Sequence, residues 1–158
     1  MKSLRKNDDN CYFLAKTQSL IFEESAIEKI PSSYFIKVFS NSKYCKSLDN
    51  LSYLDDIVDY YTILQSVKDN VHMKRGNVYP SHVMAWVGYL LREWSYIYKM
   101  RTTTILKAVS LSFLVKVYPL YHSLDVNKAI LMIAEANGLD ITLSLEERTI
   151  DAIKNIKD

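Results

Sequence analysis

Glycine and proline are scarce, three of each in 158 residues. Barrels and sandwiches need turn residues every roughly 8–12 positions, so this scarcity argues against an all-β fold. Cysteine is nearly absent as well. Cys11 and Cys45 are too few and too far apart for a disulfide framework or a zinc site, and two thiols suit a reducing compartment. Neither charge dominates: 20 Lys plus Arg face 18 Asp plus Glu, a net charge of +2 that argues against a strongly electrostatic nucleic-acid binder. No run approaches the ~18 apolar residues of a membrane span. The longest apolar-rich segment, Val83 to Met100, is interrupted by Arg92, Glu93, Ser95 and Lys99. The basic start at Lys2, Arg5 and Lys6 is followed by Asn7, Asp8, Asp9 and Asn10, where a signal peptide would need its apolar stretch. A cytoplasmic location is the expectation.

What is present suits one folded domain. Hydrophobic residues make up 49% and charged residues 24%, which excludes global disorder as the default reading. The 12 tyrosines are an unusual number for this length and raise the expectation of an interaction surface.

Helical periodicity organises most of the chain. Residues 1–10 are expected to be a flexible polar tail. Phe13, Leu14, Leu20, Ile21, Ala26, Ile27 and Ile30 fit helical spacing imperfectly, and Pro31 stops the run. Ser32 and Ser33 are candidate N-caps for a second helix with Phe35, Ile36 and Phe39 on one side. A short turn of helix through Tyr44, Cys45 and Leu48 follows, and Asp49-Asn50 breaks it. A longer helix is expected over 52–67, with Asp55, Asp56 and Asp59 making its outward side acidic. Residues 68–79 read as an exposed, mobile loop.

Pro80 and Ser81 open the central helix, whose stripe of Val83, Val87, Leu90, Leu91, Trp94, Ile97 and Tyr98 is too broad for a surface helix. Ala85 and Gly88 on its flank would admit a second helix at close range. One of Arg92 and Glu93 is expected near the interior, paired there because an unpaired buried charge costs several kcal/mol. An active-site pair, a structural ion pair and a solvated stripe with Ser81, Tyr89, Tyr96 and Lys99 all fit this spacing. Thr102–Thr104, Ser110 or Ser112, and Asp125 are candidate caps for three further helices, with Tyr118-Pro119 ending or kinking the second and Asn137-Gly138 stopping the third. The result is an all-α, compact single-domain bundle of about six or seven short-to-medium helices. Residues 11–138 form the domain, and 139–158 a C-terminal arm or a packed amphipathic helix carrying Ile150, Ile153 and Ile156.

Chemical motifs are missing. The chain has no P-loop, dinucleotide-binding glycine pattern, nucleophile elbow or His-Glu-x-x-His helix. His72, His82 and His122 lie far apart in sequence. No catalytic, cofactor-binding or metal-binding residue is therefore assigned, and no cofactor is expected. A helix-turn-helix reading of the segment after Thr103, with Lys99, Arg101, Lys107 and Lys116 on phosphates, is a second possibility.

Three segments form a recognisable set: Tyr34 to Ser42 continuing to Cys45 and Leu48-Asp49; Val83 to Trp94, with Trp86-Val87-Gly88-Tyr89 ahead of Trp94; and Tyr118 to Asp125 continuing to Ala129-Ile130. Over residues 20–135 their order and spacing resemble a group of small helical bacterial proteins encoded beside predicted ADP-ribosyltransferase-like toxins. The resemblance implies a protein partner: an antitoxin or accessory subunit that binds and neutralises a toxin-like enzyme, not an enzyme itself. The alternatives are a DNA-binding regulator and a small enzyme centred on Arg92 and Glu93. Asp55, Asp56, Asp59, Tyr89, Tyr96, Ile150 and Ile153 are the candidate partner contacts.

Overall fold

The computed structural model describes residues 2–50, 60–69 and 75–141, with side chains from Cys11 onward and, in the second stretch, from Thr62. Eight α-helices and no strand occur among these residues: α1 (Lys2–Ile27), α2 (Ser32–Ser40), α3 (Lys43–Asp49), α4 (Tyr60–Asp69), α5 (Ser81–Tyr98), α6 (Thr102–Ala108), α7 (Leu111–Tyr121) and α8 (Val126–Ala136). The all-α expectation holds, and the described residues alone carry eight helices against the six or seven expected.

α1 and α5 make the most extensive helix pairing and form the axis of the molecule. Their close approach is written at Gly88. A Cβ there would stand 2.7 Å from Cγ of Phe22 and 2.8 Å from the carbonyl oxygen of Gln18, distances that no side chain tolerates. The amide of Gln18 donates to the Gly88 carbonyl at 2.9 Å, and Ser19 donates to the Ala85 carbonyl at 2.8 Å. Small residues on α5 thus expose backbone carbonyls to polar side chains of α1. Phe22 then anchors α2: its ring meets Phe35 and Phe39 edge-on, each at a centroid distance of 5.0 Å. The other side of α5 receives α6, α7 and α8. Trp94 is fully buried at the centre, whereas Trp86 is only half-buried.

Several local expectations need correction. The backbone of α1 begins at Lys2, within the segment read as a tail, because extending a nucleated helix through residues such as Leu4 and Arg5 costs little. Ser32 does not cap its own helix. Its hydroxyl accepts from the Tyr79 amide at 2.9 Å, and its own amide donates to the Asn77 carbonyl at 2.9 Å. The end of the expected loop at 68–79 is therefore pinned to α2, and its beginning, Lys68 and Asp69, belongs to α4. Pro119 neither ends nor breaks α7, which runs on to Tyr121. It lies near the C-terminus and on the exposed side, where solvent can serve the one carbonyl it leaves unpaired.

Other signals act as read. Ser110 and Asp125 cap α7 and α8 by accepting from the amides of Phe113 and Lys128. Gly138, at φ +67°, closes α8 in a Schellman turn: the Leu139 amide donates to Ala134 and the Gly138 amide to Glu135. Leu139 is half-buried and Ile141 is buried against the same core, so the arm starts on its own domain. Ile150, Ile153 and Ile156 lie outside the described residues, as do Asp55, Asp56 and Asp59.

Candidate functional site

Arg92 of α5 is the charged group that the core admits, and its partner is Asp49 at the end of α3. Their side chains are 2% and 4% exposed, and Nη1 donates to Oδ1 at 2.7 Å. Each nitrogen of Arg92 and each carboxylate oxygen of Asp49 has a partner. Arg92 Nε donates to Oε1 of Gln18 at 2.9 Å, and Nη2 reaches the sulfur of Cys45 at 3.5 Å. Asp49 Oδ1 also accepts from the hydroxyls of Ser95 and Thr102 at 2.9 and 2.8 Å, while Oδ2 accepts from the Thr102 backbone amide at 2.9 Å. That last bond supplies the N-terminal cap that α6 lacks, since Arg101 in the cap position has no side-chain cap bond. The threonine cluster expected to cap α6 is instead the recipient of a remote cap.

Four helices, α1, α3, α5 and α6, meet at this cluster. Burial pushes the Cys45 thiol above its ordinary range despite the opposing pull of Arg92, so the sulfur is a protonated thiol here, not a thiolate nucleophile. With every polar atom of the pair partnered and both side chains shielded, the pair acts as a joint between helices. Of the readings open for Arg92 and Glu93, this geometry carries the structural ion pair. Glu93 itself is half-buried and accepts from the Tyr89 hydroxyl. Asp49 escaped the sequence reading. Its one local clue is its place in the last turn of α3, the unfavourable end of a helix for a carboxylate.

Two features stand out on the surface of the described residues. On α1, Phe13, Leu20 and Ile27 stand seven residues apart and are 68%, 54% and 53% exposed. Seven residues make nearly two turns, so the three side chains lie along one outward row, about 10.5 Å apart. Lys16, Thr17, Glu23 and Glu24 fill the turns between them. The buried face of the same helix carries Cys11, Ala15, Gln18, Phe22 and Ser25. Two apolar rows on different faces explain why the α1 segment fits a single helical stripe so poorly.

The second feature is an aromatic ledge between α5 and α7. Tyr118 stacks on His122 at 4.3 Å and takes His82 and Trp86 edge-on at 5.5 and 5.6 Å. Two of the three histidines thus share one tyrosine, though far apart in sequence. Among the described residues no group of three or more His, Cys, Asp or Glu is placed to hold a metal ion.

The named candidate contacts fare differently. Tyr89 is half-buried, edge-on to Tyr12 at 6.3 Å, and burial together with Glu93 raises its phenol to about 12. Tyr96 is half-buried beneath the ammonium of Lys99, 4.4 Å from the ring centroid. Asp55, Asp56, Asp59, Ile150 and Ile153 lie outside the described residues. No family model, curated protein or solved structure matches the chain.

The four basic residues of the helix-turn-helix reading do not all line one cleft. Lys99 covers Tyr96, Arg101 and Lys107 line a cleft toward α2 and α3, and Lys116 stands on α7 outside that cleft. α6 and α7 meet at 84°, and no single helix among the described residues is long and apolar enough to cross a membrane.

Proposed function

We propose that this chain is a cytoplasmic protein-interaction module, an antitoxin or accessory subunit that binds and restrains a toxin-like enzyme encoded beside it. The outward row of Phe13, Leu20 and Ile27 carries the reading. Three large apolar side chains, each more than half exposed at a repeat of seven, match the knobs that one helix offers to the holes of another. Fully burying such a side chain is worth about 1.5–3 kcal/mol, so three supply a substantial part of a binding free energy once a partner covers them. The resemblance over residues 20–135 supplies the class of partner.

Co-expression with the neighbouring toxin-like gene tests the reading. The expected result is a stable complex and rescue of growth. Phe13→Lys with Leu20→Lys should abolish both while leaving the melting temperature of the free protein unchanged. Rescue that survives the double substitution would rule out the α1 row. A salt-dependent shift of upstream DNA with no protein complex would favour the regulator instead.

A further inference from the structure

A second surface is polar and cationic. The C-terminal ends of α2 and α3 and the outer side of α6 enclose an open cleft of about 610 Å³, continuous with a smaller pocket of about 250 Å³ through Ser40, Lys46, Arg101 and Thr103. Lys37, Lys46, Arg101 and Lys107 line the larger cleft, all four are exposed, and no carboxylate shares its wall. Among the described residues none of the four is in an ion pair. Asp49 reaches the wall of the smaller pocket, but its charge is already neutralised by Arg92.

Helix dipoles account for part of this pattern. Lys37, Lys46 and Lys107 sit in the last turns of α2, α3 and α6, where a cation is stabilising. Three such ends bring about −0.5 charge each, leaving most of the four positive charges unbalanced. Arg101 has no such local role. It occupies the N-cap of α6, the end at which a cation is disfavoured, and still opens onto the cleft. The Asp49 bonds to Thr102 hold it there, one residue before the capped amide, and Lys46 comes from the same turn of α3 as Asp49.

We propose that this cleft binds a nucleotide-sized polyphosphate ester through Lys37, Lys46, Arg101 and Lys107. The hydroxyl of Thr103 adds a neutral donor on the same wall. Ile36, Leu106 and Leu111 form an apolar part of the lining that suits the organic portion of such an ester. The volume falls in the range of about 300–1,000 Å³ typical of small-molecule sites. No aromatic side chain lines the cleft, so the stacking that single-stranded nucleic acid uses is missing from its wall.

Calorimetric titration of the full chain in low-salt buffer (about 20 mM) tests this, with inorganic tripolyphosphate, ATP and a duplex oligonucleotide as probes. Tripolyphosphate and ATP are expected to bind in competition, ATP the tighter, with affinity falling as salt rises. Lys46→Ala with Arg101→Ala should weaken both by about tenfold or more, whereas Lys128→Ala, on α8, should not. Amide NMR spectra of each variant establish that the fold is kept. Absence of binding by either phosphate probe, equal loss in Lys128→Ala, or duplex binding tighter than both would each overturn the proposal.

Discussion

A buried charge is safe only while its partner is present. Asp49→Ala strands the Arg92 guanidinium in the core and should cost about 3–5 kcal/mol in urea unfolding. Arg92→Met strands Asp49 and should cost a similar amount. Combining Arg92→Met with Asp49→Leu removes both charges, so the double variant should be more stable than the sum of the singles implies. Additive costs would show that the two side chains are not energetically coupled.

Tyr89 makes a residue-scale prediction about pH. Its phenol is raised to about 12, by burial first and by Glu93 second. Below about pH 10 the group is protonated in folded and unfolded chains alike, and its environment contributes fully. Between about 10 and 12 the unfolded chain loses this proton while the folded chain retains it, so stability must fall as pH rises. Burial also raises Tyr44 and Tyr98, which adds to the slope. Comparing urea midpoints at about pH 9 and 11 should show a smaller drop for Tyr89→Phe than for the parent protein. Equal drops would mean that Tyr89 titrates no later than a free tyrosine.

At the level of elements, the α1–α5 contact turns a helix-weakening residue into a requirement. Gly→Ala inside a helix ordinarily gains about 1 kcal/mol of propensity. At Gly88 the new methyl would meet Phe22 and the backbone of Gln18, and α1 would have to retreat along with the bond from Gln18 to the Gly88 carbonyl. Gly88→Ala should therefore destabilise by about 1–3 kcal/mol, read from thermal or urea unfolding. A more stable variant would show that the two helices are not held this close.

Across the whole molecule, what could be read in the sequence was what is local. The α2 stripe of Phe35, Ile36 and Phe39, the central helix with Trp94, the caps at Ser110 and Asp125 and the stop at Gly138 all follow from spacing and turn chemistry within a few residues. Even the packing role of Gly88 was legible, because a glycine in a helix needs a reason. Joints between distant segments were not. Nothing near Asp49 in the chain points to Arg92, 43 residues away, and nothing near Ser32 points to Tyr79. Surface features were hidden for a related reason. The α1 segment mixes inward and outward apolar rows in one run, and the basic cleft gathers single lysines from separate helices that look unremarkable one at a time.

The remote cap on α6 bears on how far this molecule can be taken apart. Most helices carry their own beginning, so an excised segment keeps at least the instruction for where to start. α6 does not: the carboxylate that satisfies its opening amide is 53 residues upstream, and that carboxylate is held in turn by an arginine on a third helix. As a consequence α6 is not a portable unit. Grafted into another scaffold, or left behind by a cut between α3 and α5, it would lose its first turn together with the loop that aims Arg101. Its shape is encoded locally, but its boundary belongs to the assembled domain.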